Sequence, residues 1–280
     1  MLWMAPAKIN LFLRVLRKRA DGYHDIVSLM QKITLCDELI FSLRPKGIVI
    51  NCPGSDLPTS EDNLVFRAAQ SIFTYANYPS GVEIKLTKKI PLAAGLGGGS
   101  SDAATTLIAL NKICSLNLKK NELIKLGAKI GADVPFFIFG NNALASGIGD
   151  QLKALQDLPK INLLLIKPLF ELSTKMVYEN LNLRLTRGKN NYSIPRFLKM
   201  GDIIRELHND LESVSLEMHP ELADLKKMLL RHGALGALMS GSGPTVFGIF
   251  RDEKEAKKIL EVIKKEVSDY CTVFFAKSSD

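Results

Sequence analysis

From Pro91 to Ala104 the chain reads PLAAGLGGGSSDAA. Four of the five residues from Gly95 to Gly99 are glycine, and the tract runs into Ser-Ser-Asp and an apolar, helix-forming pattern. Glycine reaches positive φ at no steric cost and lets other atoms approach the backbone closely. Set just before a helix, such residues point several backbone N–H groups at one spot, where the helix N-terminus adds partial positive charge. Phosphate is the natural guest of that arrangement. Ser100, Ser101 and Asp102 suit the start of the helix, where a side-chain oxygen can cap free N–H groups. A flexible linker is the competing reading. Leu96 inside the tract, and the tight flanks of strand and helix, argue against it.

Elimination narrows the type of loop. No Gly-Lys-Ser/Thr follows, so it is not a Walker A loop. Gly95-x-Gly97-x-x-Ser100 lacks the third glycine of the dinucleotide fingerprint, and no strand–turn–helix opens the chain. Neither HRD nor DFG occurs, which excludes a protein-kinase glycine loop. Another kind of nucleotide-phosphate loop remains.

Outward from the loop, the N-terminal part reads as strands. Ala7, Ile9 and Leu11 share one face of a strand and Lys8 and Asn10 the other, because side chains alternate. RADGYHD (Arg19 to Asp25) is a turn with Asp-Gly as its signal. DIVSLMQKITL and DELIFSL read as two further strands, and NCPGSDLPTS as loop. Asp62 to Tyr75 has helical periodicity. Val82 to Leu86 alternates again and leads into the glycines. Ser101 to Leu110 is an apolar helix and Asn121 to Lys129 a shorter one. Gly131-Ala-Asp-Val-Pro135 breaks the chain before FFIF, which reads as a strand. The second half has a strand at Ile161 to Ile166 and helical stretches near 174–182, 200–215 and 220–231. Strands follow at Leu235 to Ser240 and Thr245 to Phe250, with GSGP as the turn. A charged amphipathic helix from Asp252 to Val267 and a last strand from Tyr270 to Ala276 complete a β-α-β-β-α-β order, the ferredoxin-like pattern.

The bulk properties agree with an ordinary globular protein. A chain of 280 residues that is 46% apolar can form one large domain or two modest ones. No apolar run approaches the ~18 residues of a membrane span. Lys8 and Asn10 interrupt the apolar N-terminus and no small-residue cleavage site follows, so the expectation is a soluble, cytoplasmic protein without a signal peptide. Cys36, Cys52, Cys114 and Cys271 form no CxxC pair and read as buried free thiols in a reducing compartment. The four histidines show no HxxxH spacing for zinc. Net charge is +8, part of it in Arg14, Arg17, Lys18 and Arg19. That run reads first as solvated surface, then as a site for a small anion, and last for nucleic acid, since no aromatic interleaving accompanies it.

Three stretches together resemble the GHMP small-molecule kinases, the family of galactokinase, homoserine kinase and mevalonate kinase. They are Ala5-Pro-Ala-Lys-Ile-Asn-Leu11, the tract from Pro91 to Ala104, and Met239-Ser-Gly-Ser-Gly-Pro-Thr245. Arg19-Ala-Asp-Gly-Tyr-His24, the extended GLGGGSSDAA and Gly131-Ala-Asp-Val-Pro135 are similar to the branch whose acceptor is a cytidine diphosphate-linked methylerythritol of the non-mevalonate isoprenoid route. The resemblance runs from about residue 5 to 180 and from about 233 to 250. Leu183 to Met200 adds nothing usable. It implies an α+β, two-domain fold: residues 1–157 as a mixed-sheet ATP-binding domain carrying the glycine loop, and residues 158–280 as a ferredoxin-like, substrate-side domain.

The resemblance also implies roles. Pro91, Leu92, Ala93, Ala94, Gly95, Leu96, Gly97, Gly98, Gly99, Ser100 and Ser101 cradle the ATP phosphates. Asn63 and Lys88 lie against adenine. Asp133 takes the proton of the acceptor hydroxyl; its other reading is a cap before Val-Pro. Lys8 holds Asp133 ionised and lowers the hydroxyl's pKa, and Asn10 hydrogen-bonds the substrate; the alternatives are a solvent-facing lysine and a surface amide. Tyr23 and His24 recognise cytidine by stacking and pairing, with Tyr178 closing the stack or packing in the core. Thr174 reaches the substrate's diphosphate or the γ-phosphate. The turn at GSGP shapes the pocket or is a plain hairpin. Mg²⁺ bridges the phosphates, with Ser101 as a ligand. The competing functions are another kinase of the family, acting on homoserine, mevalonate or a sugar, and a nucleotide- or RNA-binding relative that has lost the chemistry. No nucleic-acid or membrane partner is expected for the kinase.

Overall fold

The computed structural model describes residues 1–182 and 199–279. Most of the segment from Leu183, for which the sequence offers no reading, lies outside them. The chain forms two compact units that interleave in sequence: Met1–Ala7, Cys36–Leu92 and Gly97–Asn141 make one, and Lys8–Leu35, Ala93–Leu96 and Asn142–Asp280 the other. Strands β1 (Leu2–Lys18) and β2 (His24–Arg44) each run through both. The glycine tract leaves the first unit at Ala93 and re-enters it at Gly97.

In the first unit, β3 (Ile48–Asn51) pairs in parallel with β4 (Gly81–Thr87), which pairs antiparallel with the second half of β2. Val82, Ile84 and Leu86 of β4 are fully buried while Glu83 and Lys85 are exposed, the alternation a one-sided sheet requires. Helix α1 (Leu64–Tyr75) buries Val65, Ala68, Ala69 and Ile72, one helical stripe. Helix α2 (Gly98–Ile113) is buried almost all round and rich in alanine and threonine, as a central helix must be to let its neighbours approach. Helices α3 (Lys120–Ala128) and α4 (Val134–Phe139) complete the unit.

The structure corrects two sequence-based elements here. FFIF is the body of α4, not a strand. Pro135 presets helical φ in the first turn, and Gly140 at φ +82 ends the helix with its N–H on the Phe136 carbonyl. A run of four apolar residues carries no period by which to tell a buried helix from a strand. DIVSLMQKITL and DELIFSL form one strand of 21 residues, because Cys36, the single residue between them, is neither a glycine nor a proline that would break it.

In the second unit, β7 (Asn162–Pro168), β9 (Gly236–Met239), β10 (Val246–Phe250) and β11 (Cys271–Lys277) form an antiparallel sheet in the order β11-β7-β10-β9. Fourth, first, third, second is the ferredoxin-like order that the β-α-β-β-α-β reading predicts. Helices α5 (Thr174–Glu179), α6 (Met200–Glu206), α7 (Asp210–Met218) and α8 (Glu221–Arg231) lie between β7 and β9 in the chain, and α9 (Glu253–Val267) between β10 and β11. Leu164 and Ile166 of the sheet pack with Leu222, Leu225 and Leu229 of α8 and with Ala256, Ile263 and Val267 of α9 in one core.

The helical stretch expected at 200–215 is divided. Asn209 is extended (φ −145°, ψ 110°) and caps α7 with its own side chain. It belongs to a two-residue strand, β8 (His208–Asn209), that pairs in parallel with Phe12 and Leu13 of β1. Hairpin β5 (Ala143–Ser146) and β6 (Gln151–Ala154) joins the first half of β2 through Ser28–Met30. No helix among the described residues is long and apolar enough to cross a membrane.

Candidate active site

In the first unit the loop ends at Gly97, a left-handed N-cap (φ 70°, ψ 19°) without a side chain to bond the helix. This corrects the expectation that Ser100, Ser101 or Asp102 caps the helix: α2 starts at Gly98, so all three lie inside it. The first N–H groups of α2 therefore stay available to an anion. A Cβ on Gly98 would stand 3.0 Å from Ile90 Cγ2 and 3.3 Å from Lys88 Nζ. The Ser101 hydroxyl is buried and has no hydrogen-bond partner among the described residues.

Lys88 is held between two carboxylates. Its Nζ donates to Asp37 Oδ2 and, at 2.8 Å, to Asp102 Oδ2. Asp37 Oδ1 accepts from the backbone N–H groups of Lys89 (2.6 Å) and Ile90 (2.8 Å). Burial alone would lower the Lys88 pKa, but the two carboxylates outweigh it and hold it above its ordinary value. Burial pushes the Asp102 carboxyl upward, and Lys88 opposes that. Asn63 caps α1, accepting from Val65 N at 2.8 Å and donating to Pro58 O at 2.7 Å.

Asp133 occupies the N-cap position of α4, but its side chain makes no capping bond. It is therefore not a side-chain cap of that helix. A Cβ on Gly131, two residues earlier, would lie 3.7 Å from Ser100 Oγ, so this turn adjoins the first turn of α2.

In the second unit Lys8 and Asn10 are buried, at 4% and 1% exposure, which removes the surface readings. Lys8 Nζ donates to Asn10 Oδ1 at 2.6 Å, Asn10 Nδ2 donates to Ser28 Oγ at 2.7 Å, and Ser28 Oγ donates to the Phe12 carbonyl at 2.8 Å. Since the Ser28 hydrogen is committed to Phe12, its oxygen must accept, and the Asn10 amide must turn its own oxygen to Lys8. The Lys8 N–H also donates to Leu96 O at 2.9 Å, tying β1 to the glycine tract.

The turn at 240–245 closes on the same group. Ser240 Oγ donates to Gly95 O at 3.0 Å. A Cβ on Gly241 would stand 3.1 Å from Gly95 O and 3.4 Å from both Asn10 Oδ1 and Lys8 Nζ. This is more than a plain hairpin. Asn209 Nδ2 fixes the turn, donating to Met239 O (2.9 Å) and Gly241 O (2.7 Å). The Thr174 and Ser242 hydroxyls hydrogen-bond at 2.7 Å. Sequence reasoning missed both Ser28 and Asn209. Their partners are distant in the chain, and Asn209 lies inside the stretch at 200–215 that reads as one helix, so no local signal marks either residue.

His24 and Tyr178 stack with ring centroids 5.0 Å apart, while the neighbouring Tyr23 is exposed. Burial, and then the nearby Lys18, hold the His24 pKa below its ordinary value. In the basic run Arg17 pairs with Asp25, and Arg19 with Asp21 and Asp25.

Residues 63–141 match the GHMP kinases N terminal domain and residues 193–269 the GHMP kinases C terminal domain. The 4-diphosphocytidyl-2-C-methyl-D-erythritol kinase of Syntrophus aciditrophicus (strain SB) is 58% identical over 262 residues, 94% of each chain. This chain belongs to the GHMP kinase family. As a GHMP kinase it is an ATP-dependent phosphotransferase. A crystal structure of 4-(cytidine 5'-diphospho)-2C-methyl-D-erythritol kinase superimposes over 100% of both chains with a TM-score of 0.86 at 32% identity. A homoserine kinase from Cytophaga hutchinsonii, 23% identical with a TM-score of 0.74 over 100% of this chain and 94% of its own, shares the fold. All four cysteines are free thiols, Cys52 and Cys271 buried as expected but Cys36 and Cys114 only half-buried, and among the described residues no cluster of three His, Cys, Asp or Glu side chains could hold a metal.

Proposed function

We propose that this GHMP kinase transfers the γ-phosphate of ATP to the 2-hydroxyl of 4-diphosphocytidyl-2-C-methyl-D-erythritol, in the cytoplasm, as a step toward isoprenoid precursors. The observation that carries the reading is the near full-length, 58% identity to a curated kinase of that name. The reading sits on a buried Lys8–Asn10 pair against the glycine tract. Homoserine, mevalonate and sugar acceptors, and an inactive binding relative, are not favoured by relatives of that similarity.

Phosphoryl transfer asks for a phosphate cradle, positive charge, and a place for the hydroxyl proton. The uncapped N–H groups at the start of α2 and the backbone of residues 91–101 form the cradle. Asp133 accepts the proton as the hydroxyl oxygen bonds to γ-phosphorus and the bond from that phosphorus to the bridging oxygen breaks, releasing ADP. Lys8 supplies a fixed cation that favours the alkoxide, and Asn10 orients the hydroxyl. Tyr23, His24 and Tyr178 take the cytosine end, with the His24–Tyr178 stack as the preformed aromatic element, and Thr174 takes the diphosphate. Asn63 and Lys88 serve the nucleotide. Both side chains are already engaged within the protein, so they act through the backbone they fix. In this reading the expected halves at 1–157 and 158–280 give way to the interleaved units: the one with Cys36–Leu92 and Gly97–Asn141 carries Asn63, Lys88 and α2 for the nucleotide, and the one with Lys8–Leu35 and Asn142–Asp280 carries Asn10, Tyr23, His24, Thr174 and Tyr178 for the substrate.

Magnesium would be held by ATP oxygens and by Ser101. The Ser101 hydroxyl is a buried oxygen without a partner, and Mg²⁺ binds through few protein oxygens plus substrate phosphates and water. When bound, it neutralises charge on the phosphates.

The test is ADP release with ATP and magnesium, offering 4-diphosphocytidyl-2-C-methyl-D-erythritol beside homoserine, mevalonate and galactose. Turnover with the cytidyl substrate alone is expected. Turnover with another acceptor instead would keep the family and discard the roles of Tyr23, His24 and Tyr178. Folded protein that binds ATP yet turns over none of the four would point to a binding relative.

A further inference from the structure

Three charged groups meet beneath the first turn of α2 with almost no water. Asp37 and Asp102 have 0% and 2% of their side-chain surface exposed, and Lys88 has 9%. Such a cluster is a poor source of stability. Desolvating each ion costs several kcal/mol, and apolar side chains of equal volume serve as well or better. One cation between two carboxylates also leaves Asp102 Oδ1 buried without a partner among the described residues. The reason for the cluster lies in what it joins.

Asp37 belongs to β2, Lys88 follows directly on β4, and Asp102 stands in the second turn of α2. Lys88 and Asp102 are 14 residues apart, and the glycine tract is what lies between them. The Lys88–Asp102 bond therefore fastens the residue that enters the tract to the helix that leaves it. Asp37 adds a second hold at the entrance by taking the Lys89 and Ile90 N–H groups. Lys88 Nζ also lies 3.3 Å from the position of a Gly98 Cβ, so the ammonium backs directly onto the loop's helical end. A glycine-rich segment has many conformations to lose on ordering. Fixing both of its ends in advance reduces what ATP must order on binding.

We propose that Lys88, with Asp37 and Asp102, is a positioning residue: an ionic clasp that holds the two ends of the phosphate loop in their ATP-binding arrangement, without itself reading the adenine. The proposal rests on the loop being the ATP cradle and is independent of the acceptor. It gives the cation at residue 88 a role in phosphate affinity, where a base-contacting lysine would govern base preference.

The experiment compares ATP and ITP affinity by titration calorimetry with magnesium present, alongside KM for each substrate. Lys88→Met alone would strand two buried carboxylates, so the main variant is the neutral set Asp37→Asn/Lys88→Met/Asp102→Asn, which leaves no buried charge unpaired. Asp102→Asn alone is the second variant, because it keeps the Lys88–Asp37 pair and the side-chain shape. Expected for the triple variant is about tenfold weaker binding of ATP and ITP alike, with acceptor KM within about twofold, since loosening a cradle by a fraction of an ångström costs on that order. Asp102→Asn is expected to show the same pattern to a lesser degree, and it decides the matter if the triple variant does not fold. Wild-type ATP affinity in the folded variants would overturn the proposal. So would a changed ATP-to-ITP ratio, which would make Lys88 a reader of the base. Because affinity is measured without acceptor, a protein that binds ATP but phosphorylates none of the acceptors would refute the proposed reaction and leave this comparison intact.

Discussion

Gly95→Ala isolates how closely the glycine tract is fitted to the turn at 240–245. Gly95 has φ +73°, and Gly54, in a loop with nothing within 4 Å of its missing Cβ, has φ +74°. Alanine at either position bears the same left-handed backbone cost, about 1 kcal/mol. Only at Gly95 does the new carbon meet anything. It would lie 2.2 Å from Ser240 O, 3.0 Å from Gly243 O and 3.1 Å from Gly243 N. All three are backbone atoms, so no rotamer change relieves the contact. Carbon-to-carbonyl-oxygen contact begins near ~3.3 Å, so roughly 1 Å of separation must be found by moving one backbone segment. That movement strains the Ser240–Gly95 hydrogen bond at 3.0 Å and the Lys8 N–H bond to Leu96 at 2.9 Å. Overpacking of this kind costs about 1–3 kcal/mol beyond the φ penalty. At about 2–4 °C of Tm per kcal/mol for a chain of this size class, Gly54→Ala falls a few degrees and Gly95→Ala roughly twice to four times as far. A 1 Å misplacement at a reacting centre costs about 10²-fold in rate. The assay is ADP release at varied ATP, with thermal unfolding of both variants. Gly95→Ala with kcat/KM within about threefold of Gly54→Ala, and an equal Tm, would refute the close-approach argument.

Ser28→Ala removes the acceptor that orients the Asn10 amide, and the expected result is a fall in kcat of about tenfold with little change in either KM and partial rescue by Ser28→Thr; an unchanged kcat sinks the relay. Asn209→Leu keeps the volume but leaves the Met239 and Gly241 carbonyls and the Leu211 N–H without partners, so denaturant unfolding should show a loss of about 2–4 kcal/mol, and a loss under ~1 kcal/mol contradicts it. His24 is held below its ordinary pKa of 6.5 by burial first and Lys18 second. The folded state therefore binds fewer protons than the unfolded one just below that value, and the contribution to stability is complete above pH ~6.5 and lost as pH falls through the lowered folded pKa. His24→Gln should flatten the acid limb of the stability profile; an identical slope in both proteins would count against it. Lys8→Met and Asp133→Asn, separately and together, should be far from additive in kcat/KM, and full additivity would mean the two side chains act independently.

The sequence by itself determined the glycine tract and the helix behind it, because φ freedom and apolar periodicity are local properties of residue type. It determined the ferredoxin-like order for the same reason: each strand and helix of that unit carries its own period, and turns such as GSGP separate them. Lys8 and Asn10 were legible as an unusual pair on a strand, but not as buried. Alternation predicts one wet face, and only tertiary packing covers both. FFIF was beyond local reading because four apolar residues satisfy either period, and the choice fell to Pro135 and Gly140 acting with the packing of α4. The clasp of Lys88, the orientation of Asn10 by Ser28 and the hold of Asn209 on the 240–245 turn were decided by tertiary structure alone. In each, a common polar residue gains its role from a partner 14 or more positions away, and residue type carries no record of which distant group will be brought within hydrogen-bond reach when water is excluded.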